Sequence, residues 1–142
     1  MGAIADIIRT LGGPGLVPAK TAEELRDALR AGLPYGSLAA VSTGFAIDGS
    51  AIVAILRIPP RTLARRKKER RLSAEESDRL FRLGRVATLA EETLGSRTKA
   101  TAWLQAANRA LGGGTPLSEL DTDLGAEQVE SVLLRLAHGV LG

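Results

Sequence analysis

Apolar residues recur along this chain mostly at three- and four-residue spacing, the period of a helix that buries one face. Leu25, Ala28 and Leu29 make the first such stripe. Thr21 precedes it with Glu24 three residues on, so hydroxyl and carboxylate can each accept the other's backbone amide as a capping box. Gly32 ends the helix and Pro34 confirms the break. Residues 35–46 predict a second helix with Leu38, Val41 and Phe45 on one side. After the turn Ile47-Asp-Gly49, residues 50–56 are very apolar. They fit a short buried helix, and their β-branched content also fits a strand.

Arg57-Ile-Pro59 breaks the pattern again. Pro60 suits a first helical turn, where its missing amide would have no intrahelical partner. The helix it opens, residues 60–69, has Leu63 as its main apolar anchor. A second capping box, Ser73 with Glu76, opens the longest helix, which runs to about Leu94 and stops at Gly95. Leu80, Phe81, Ala87, Leu89, Ala90 and Leu94 supply its buried stripe, interrupted by Gly84 at a cost of ~1 kcal/mol against Ala. Residues 98–111 predict a helix carrying Trp103, Leu104, Ala107 and Leu111, ended by three consecutive glycines. Thr115 caps one short turn to Leu120, with Pro116 in its first position. The final helix, residues 125–138, turns Val129, Val132, Leu133 and Leu136 inward, and Gly139 closes it. Near the start, Gly12-Gly-Pro-Gly15 and Pro18 exclude a continuous helix or central strand, so residues 1–20 are expected to be a flexible or extended leader. The fold class is all-α, in two parts: residues 21–95 and a smaller helical domain over 96–142.

Composition agrees with this and narrows the chemistry. Of 142 residues, 44% are hydrophobic and 25% charged, an ordinary balance for a soluble globular chain. Aromatics are 3%, so the core must be built from Leu, Ile, Val and Ala. The absence of cysteine excludes disulfides, a thiol nucleophile and a Cys-ligated zinc site, and fits a reducing, cytoplasmic setting. The first nine residues have no basic region and carry Asp6 within the apolar stretch, so no secretory signal is read there. No apolar run approaches the ~20 residues that span a bilayer, and no membrane association is expected. His138 is the sole histidine, which rules out a multi-His metal site, and at a helix end it reads as a favourable charge near the C-terminal dipole more than as the base of a Ser/His pair. Asp121 and Asp123 lack the closing Glu of a calcium loop, and Gly12–Gly15 lacks the Lys-Ser/Thr of a phosphate loop. The chain is therefore expected to have no catalytic residue, no metal and no cofactor.

Charge is the informative feature. Between Arg57 and Arg71 lie eight cations and one acid, Glu69. From Gly113 onward there are five acids and one base, Arg135. Such a split points to two surfaces for two partners. The basic run follows a short apolar helix and a tight break, the layout of a helix-turn-helix whose second helix reads DNA. With Leu63 inward, Arg61, Thr62, Arg65 and Arg66 are the expected groove-facing set. Lys67, Lys68, Arg70 and Arg71 are placed for phosphate. A solvated charged helix end is the alternative. A site for RNA is disfavoured because Phe81 and Trp103 read as core, leaving no aromatic to stack unpaired bases. One such module buries little surface, so a homodimer on paired half-sites is expected.

Two segments then become recognisable. Ile58-Pro-Pro-Arg-Thr-Leu-Ala-Arg-Arg66 with Leu72-Ser-Ala-Glu-Glu-Ser-Asp-Arg-Leu-Phe-Arg82 resembles the DNA-binding half of Xre-type antitoxins. Residues 110–139, with Gly112-Gly-Gly-Thr-Pro-Leu117 and Gly125-Ala-Glu-Gln-Val-Glu130, resemble the toxin-binding domain shared by Xre, MbcA and ParS-like antitoxins. The resemblance spans about Ala31 to the C-terminus. It implies a bacterial toxin–antitoxin operon, a RES-domain toxin that consumes NAD⁺ as partner, and repression of the operon by the complex at operator DNA. An acidic C-terminal part suits a basic, pyrophosphate-holding pocket on such a toxin. Leu117, Leu120, Val140 and Leu141 are the candidate apolar contacts, with Glu127, Glu130 and His138 beside them. Leu117 and Leu120 read equally well as core, and the two glutamates as a solvated face. Val140-Leu-Gly142 follows the closing glycine and is the best candidate for exposure. A stand-alone repressor and a protein-binding adaptor are the competing readings.

Overall fold

The computed structural model describes residues 3–139. They form α1 (Ile4–Thr10), α2 (Ala22–Ala31), α3 (Tyr35–Gly44), α4 (Gly49–Leu56), α5 (Pro60–Glu69), α6 (Ala74–Leu94), α7 (Arg97–Leu104) and α8 (Asp123–Ala137). Short 3-10 turns lie at Arg109–Leu111 and Leu117–Asp121. No strand occurs among the described residues, and one isolated bridge joins Pro34 to Arg71.

Both capping boxes form. The Thr21 hydroxyl accepts the Glu24 amide at 3.1 Å while the Glu24 carboxylate accepts the Thr21 amide at 3.2 Å. Ser73 and Glu76 do the same at 3.1 and 2.8 Å. Residues 49–56 are helix and not strand, because the Asp48 carboxylate accepts the Ala51 amide at 2.9 Å and starts the turn. Ile52, Ile55 and Leu56 then fall together in the core.

The 21-residue α6 is the axis of the molecule, about 30 Å long at 1.5 Å per residue. Helices α1, α2, α4, α7 and α8 all pack against it, and most of its middle is buried.

Residues 3–20 depart from the flexible or extended leader expected over 1–20. Within them, Ile4–Thr10 is helical, and Ile7, Ile8, Leu11, Val17 and Ala19 are buried. The hydroxyls of Thr10 and Thr88 meet at 2.7 Å inside the protein. Gly12 and Gly13 adopt positive φ and turn the chain back at the end of α1, so the Gly/Pro run makes a fixed corner. Gly84 on α6 has its explanation here too. A Cβ at that position would stand 3.1 Å from Leu11 Cδ2, tighter than packing comfortably allows.

The helix expected over 98–111 is also broken, after Leu104. The Gln105 side-chain amide donates to the carbonyls of Phe45 and Ala46, at 3.0 Å each. Asn108 gives its amide to the Gly114 carbonyl at 3.0 Å and caps Ala110 with its side chain. The Asn108 bonds give the backbone a local alternative to the helical ladder, and the Gln105 bonds tie the break to the end of α3.

A single hydrophobic cluster runs from Ile7 to Leu133. It crosses Gly95 without interruption, so the two halves of the chain share one core.

Candidate nucleic-acid and partner interfaces

Helix α4, the turn at residues 57–59 and α5 form the helix-turn-helix. Asp48 anchors the start. Bonds from the Ala51 amide and then the Ser50 hydroxyl hold its carboxyl below the usual carboxylate range. At the other end the Arg79 guanidinium donates to the Leu56 carbonyl at 3.1 Å, tying the turn to α6. Ile58 is buried within the turn. On α5 no residue is fully buried; Leu63 is partly buried against the core, as expected of its anchor.

The cations of this segment divide into two groups. Arg61, Arg65, Lys67, Lys68 and Arg70 are exposed, and Thr62 is half-buried. Arg65 has only a loose pair with Glu69, at 3.9 Å. Arg66 differs from its expected place in the groove-facing set. Its side chain is 20% exposed and turns back to Glu76 at 2.8 Å and Glu69 at 3.1 Å. Those two bonds raise its pKa above the ordinary arginine value, so it holds α5 onto α6. Arg71 likewise donates to the Gly32 carbonyl and is committed within the fold. Glu76 and Arg79, which position α4 and α5, were not singled out for this role by the sequence reading. A carboxylate or guanidinium at the start of a long helix directly behind a basic one is the signal that could have found them.

In the C-terminal half, Leu117 and Leu120 are 7% and 0% exposed. Both belong to the core: Leu120 has no exposed surface, and Leu117 shows only an edge, in a groove shared with Ala54 and Ile55 of α4. The physical reason is Gly125: a Cβ there would overlap the Glu119 carbonyl, so α8 starts directly on the 3-10 turn and seals it. The buried Arg82 fixes this junction, donating to Asp123 at 2.7 Å and to the Leu120 carbonyl at 3.3 Å. Glu130 is half-buried and receives a two-pronged bond from Arg85, at 2.9 and 3.2 Å. Glu127 and His138 are exposed. Val140 and Leu141 lie outside the described residues.

The outer face of α8 carries residues the sequence reading overlooked. Leu124 is 65% and Leu134 is 36% exposed. With Glu127, Ser131 and His138 they recur at three- and four-residue intervals along one solvent-facing stripe. Beside it, an open groove of about 420 Å³ runs between α8 and the 3-10 turn at Arg109–Leu111, lined by Leu111, Gln128, Ser131, Val132 and Arg135.

Comparison with known proteins assigns both halves. Residues 17–85 match the antitoxin Xre-like helix-turn-helix domain. Residues 89–139 match the antitoxin Xre/MbcA/ParS C-terminal toxin-binding domain. An antitoxin Xre of Yersinia enterocolitica is 32% identical over 87% of this chain and 85% of its own length. One from Photorhabdus laumondii is 31% identical over the same shares. An antitoxin Xre of Pseudomonas putida is 41% identical over 83 residues, which is 58% of this chain and about half, 52%, of that protein. With a helix-turn-helix domain and a toxin-binding domain in that order, the chain belongs to the Xre antitoxin family.

Proposed function

We propose that this chain neutralises a RES-domain, NAD⁺-consuming toxin by direct binding in the bacterial cytoplasm, and represses its own operon through α4 and α5. The chain divides the work, residues 21–95 serving DNA and residues 96–142 serving the toxin. The observation that carries the DNA half is the exposed cation set of α5 and its C-cap, Arg61, Arg65, Lys67, Lys68 and Arg70, on a helix seated by Leu63 and by the Arg66–Glu76 ion pair. Arg61, Thr62 and Arg65 lie towards the N-terminal end that reads base edges, while Lys67, Lys68 and Arg70 suit phosphate. A homodimer would present two such helices to paired half-sites.

The toxin half is supported by the acidic, partly apolar outer face of α8. Leu124, Glu127, Leu134 and His138 are accessible there, and Val140 and Leu141 extend the chain beyond it. The NAD⁺ chemistry belongs to the toxin. No helix among the described residues is long and apolar enough to cross a membrane.

Titration of the full chain onto its own promoter fragment and onto a random duplex tests the DNA half. Arg61→Ala and Arg65→Ala should weaken promoter binding by about 1–3 kcal/mol more than random binding. Equal loss on both duplexes would make them phosphate contacts. Co-expression with the product of the adjacent gene, expected to be a RES-domain toxin, tests the other half. Rescue of growth supports neutralisation, and a harmless neighbour would leave a stand-alone repressor.

A further inference from the structure

We propose that Arg57 is a phosphate contact, its guanidinium gripping the DNA backbone next to the N-terminal end of α5. This rests on the reading of α4 and α5 as a duplex-binding pair, and adds a residue which that reading does not contain.

The observation is a residue out of place. Arg57 follows α4 at φ 53°, ψ 46°, in the left-handed region. Its amide and that of Ile58 both turn back to the Val53 carbonyl, the latter at 3.2 Å. Helices that end this way favour glycine at this position, because a Cβ is crowded there. The same chain uses glycine where α6 ends, at Gly95, and where the 3-10 turn ends, at Gly112.

The other left-handed residues with side chains among the described residues are tied to distant segments through their carbonyls, whereas the Arg57 amide bonds only within its own helix. Ala46 has its carbonyl bound by Gln105 at 3.0 Å. Arg70 has its carbonyl bound by the Tyr35 amide at 3.1 Å. The Arg57 side chain is exposed and takes no hydrogen bond or ion pair among the described residues. No bond of its side chain among the described residues explains why arginine stands where glycine would be relaxed. Strain kept without an internal reason is a mark of function.

Its position supplies the function. Arg57 sits three residues before Pro60, in the turn between the two helices. In a helix-turn-helix the first helix crosses the DNA backbone while the N-terminal residues of the second reach base edges, so the turn that joins them lies where the chain passes a phosphate ridge. A cation at the turn stands at one ridge, while Lys67, Lys68 and Arg70 stand at the other end of α5. Arg57 carries no sequence information in that place, so it should add salt-sensitive affinity on any duplex.

The test uses the full chain as Arg57→Gly, Arg57→Ala and Arg57→Lys, titrated onto a random duplex and the promoter fragment over a series of KCl concentrations, with thermal melts alongside. Arg57→Gly should raise Tm by about 3–5 °C as the strain is released. It should also weaken both duplexes roughly 5–10-fold and reduce the salt slope by about one. Arg57→Ala should lose the same affinity without the gain in Tm, and Arg57→Lys should keep most of the affinity. Unchanged binding and slope in the Gly and Ala variants, while Lys67→Ala weakens both duplexes, would overturn the proposal and leave the DNA reading standing. A loss confined to toxin binding would overturn it in favour of an acidic protein surface. If the unmutated chain binds neither duplex with salt dependence, the DNA reading falls and Arg57 with it.

Discussion

Glu76 shows how one side chain can serve the helix it starts and the helix it faces. It is 6% exposed. One of its oxygens receives both the Ser73 amide and the Arg66 guanidinium, at 2.8 Å each. Burial by itself would push its pKa up. The Arg66 bond, the Ser73 amide and the charge of Arg66 together outweigh this and hold the carboxyl below its usual range. A carboxyl lowered in the folded state stabilises that state fully above its unfolded pKa, about 4.3. That contribution is lost as pH falls through the lower, folded value. Glu76→Gln keeps a carbonyl acceptor for Ser73 and Arg66 but removes the charge, leaving Glu69 as the sole carboxylate paired with Arg66. We expect it to cost about 1–3 kcal/mol at neutral pH, and to flatten the decline in Tm between neutral and acid conditions. Urea unfolding at pH 7 and a Tm series against pH check both. An acid limb as steep in the variant as in the parent would assign the sensitivity to other carboxylates. Because Arg66 belongs to α5, the same substitution should also loosen the reading helix, seen as faster amide exchange over residues 60–69.

Among the elements, α8 carries the clearest functional expectation. Its inner residues Val129, Val132 and Leu133 are buried, which leaves Leu124 and Leu134 rotated away from the core by the helical period. Replacing either with Asp should leave the fold within ~0.5 kcal/mol, as for most exposed positions. Toxin binding should weaken by at least about 1–2 kcal/mol if these are central contacts. Calorimetric titration of the purified partners, with circular dichroism as a control, reads both quantities. Undiminished affinity in both variants would move the interface to residues beyond 139. Most helices were legible in the sequence because each combines a periodic stripe with a cap: Thr21 with Glu24, Ser73 with Glu76, Pro60 at a first position. The ambiguous run 49–56 was decided by a cap as well, through Asp48. Where the reading went astray, bonds between distant segments decided the outcome. Gln105 reaching Phe45, and Leu11 reaching Gly84, have no local pattern in a single chain. The basic surface of α5 was legible as a density of charge. The commitment of Arg66 to Glu76 was not, since charge density does not say which cation is already paired. Leu117 and Leu120 could be read as core or contact with equal force until the turn they sit in was placed beneath α8.

At the scale of the molecule, the helix-turn-helix domain and the toxin-binding domain are not separate bodies joined by a tether. The hydrophobic cluster is continuous from Ile7 to Leu133, and α6 contributes to both sides of it. Helix α4 also packs against the 3-10 turn at Leu117–Asp121, so the first helix of the helix-turn-helix touches the C-terminal half directly. A defect at the N-terminal edge should therefore be felt at the far end. Leu11 is fully buried against Gly84, and Leu11→Ala should cost about 2–5 kcal/mol through lost burial and the cavity left behind. For a domain whose stability is about 5–15 kcal/mol, that is enough to lower Tm by many degrees. Trp103, the single tryptophan, lies on α7 in the other half of the chain and packs partly against the core. Its fluorescence should report the same midpoint as far-UV circular dichroism, in the parent and in Leu11→Ala alike, because one core unfolds in one step. Two resolved transitions, with the Trp103 signal outlasting the loss of helicity, would show that the C-terminal half can stand without the rest.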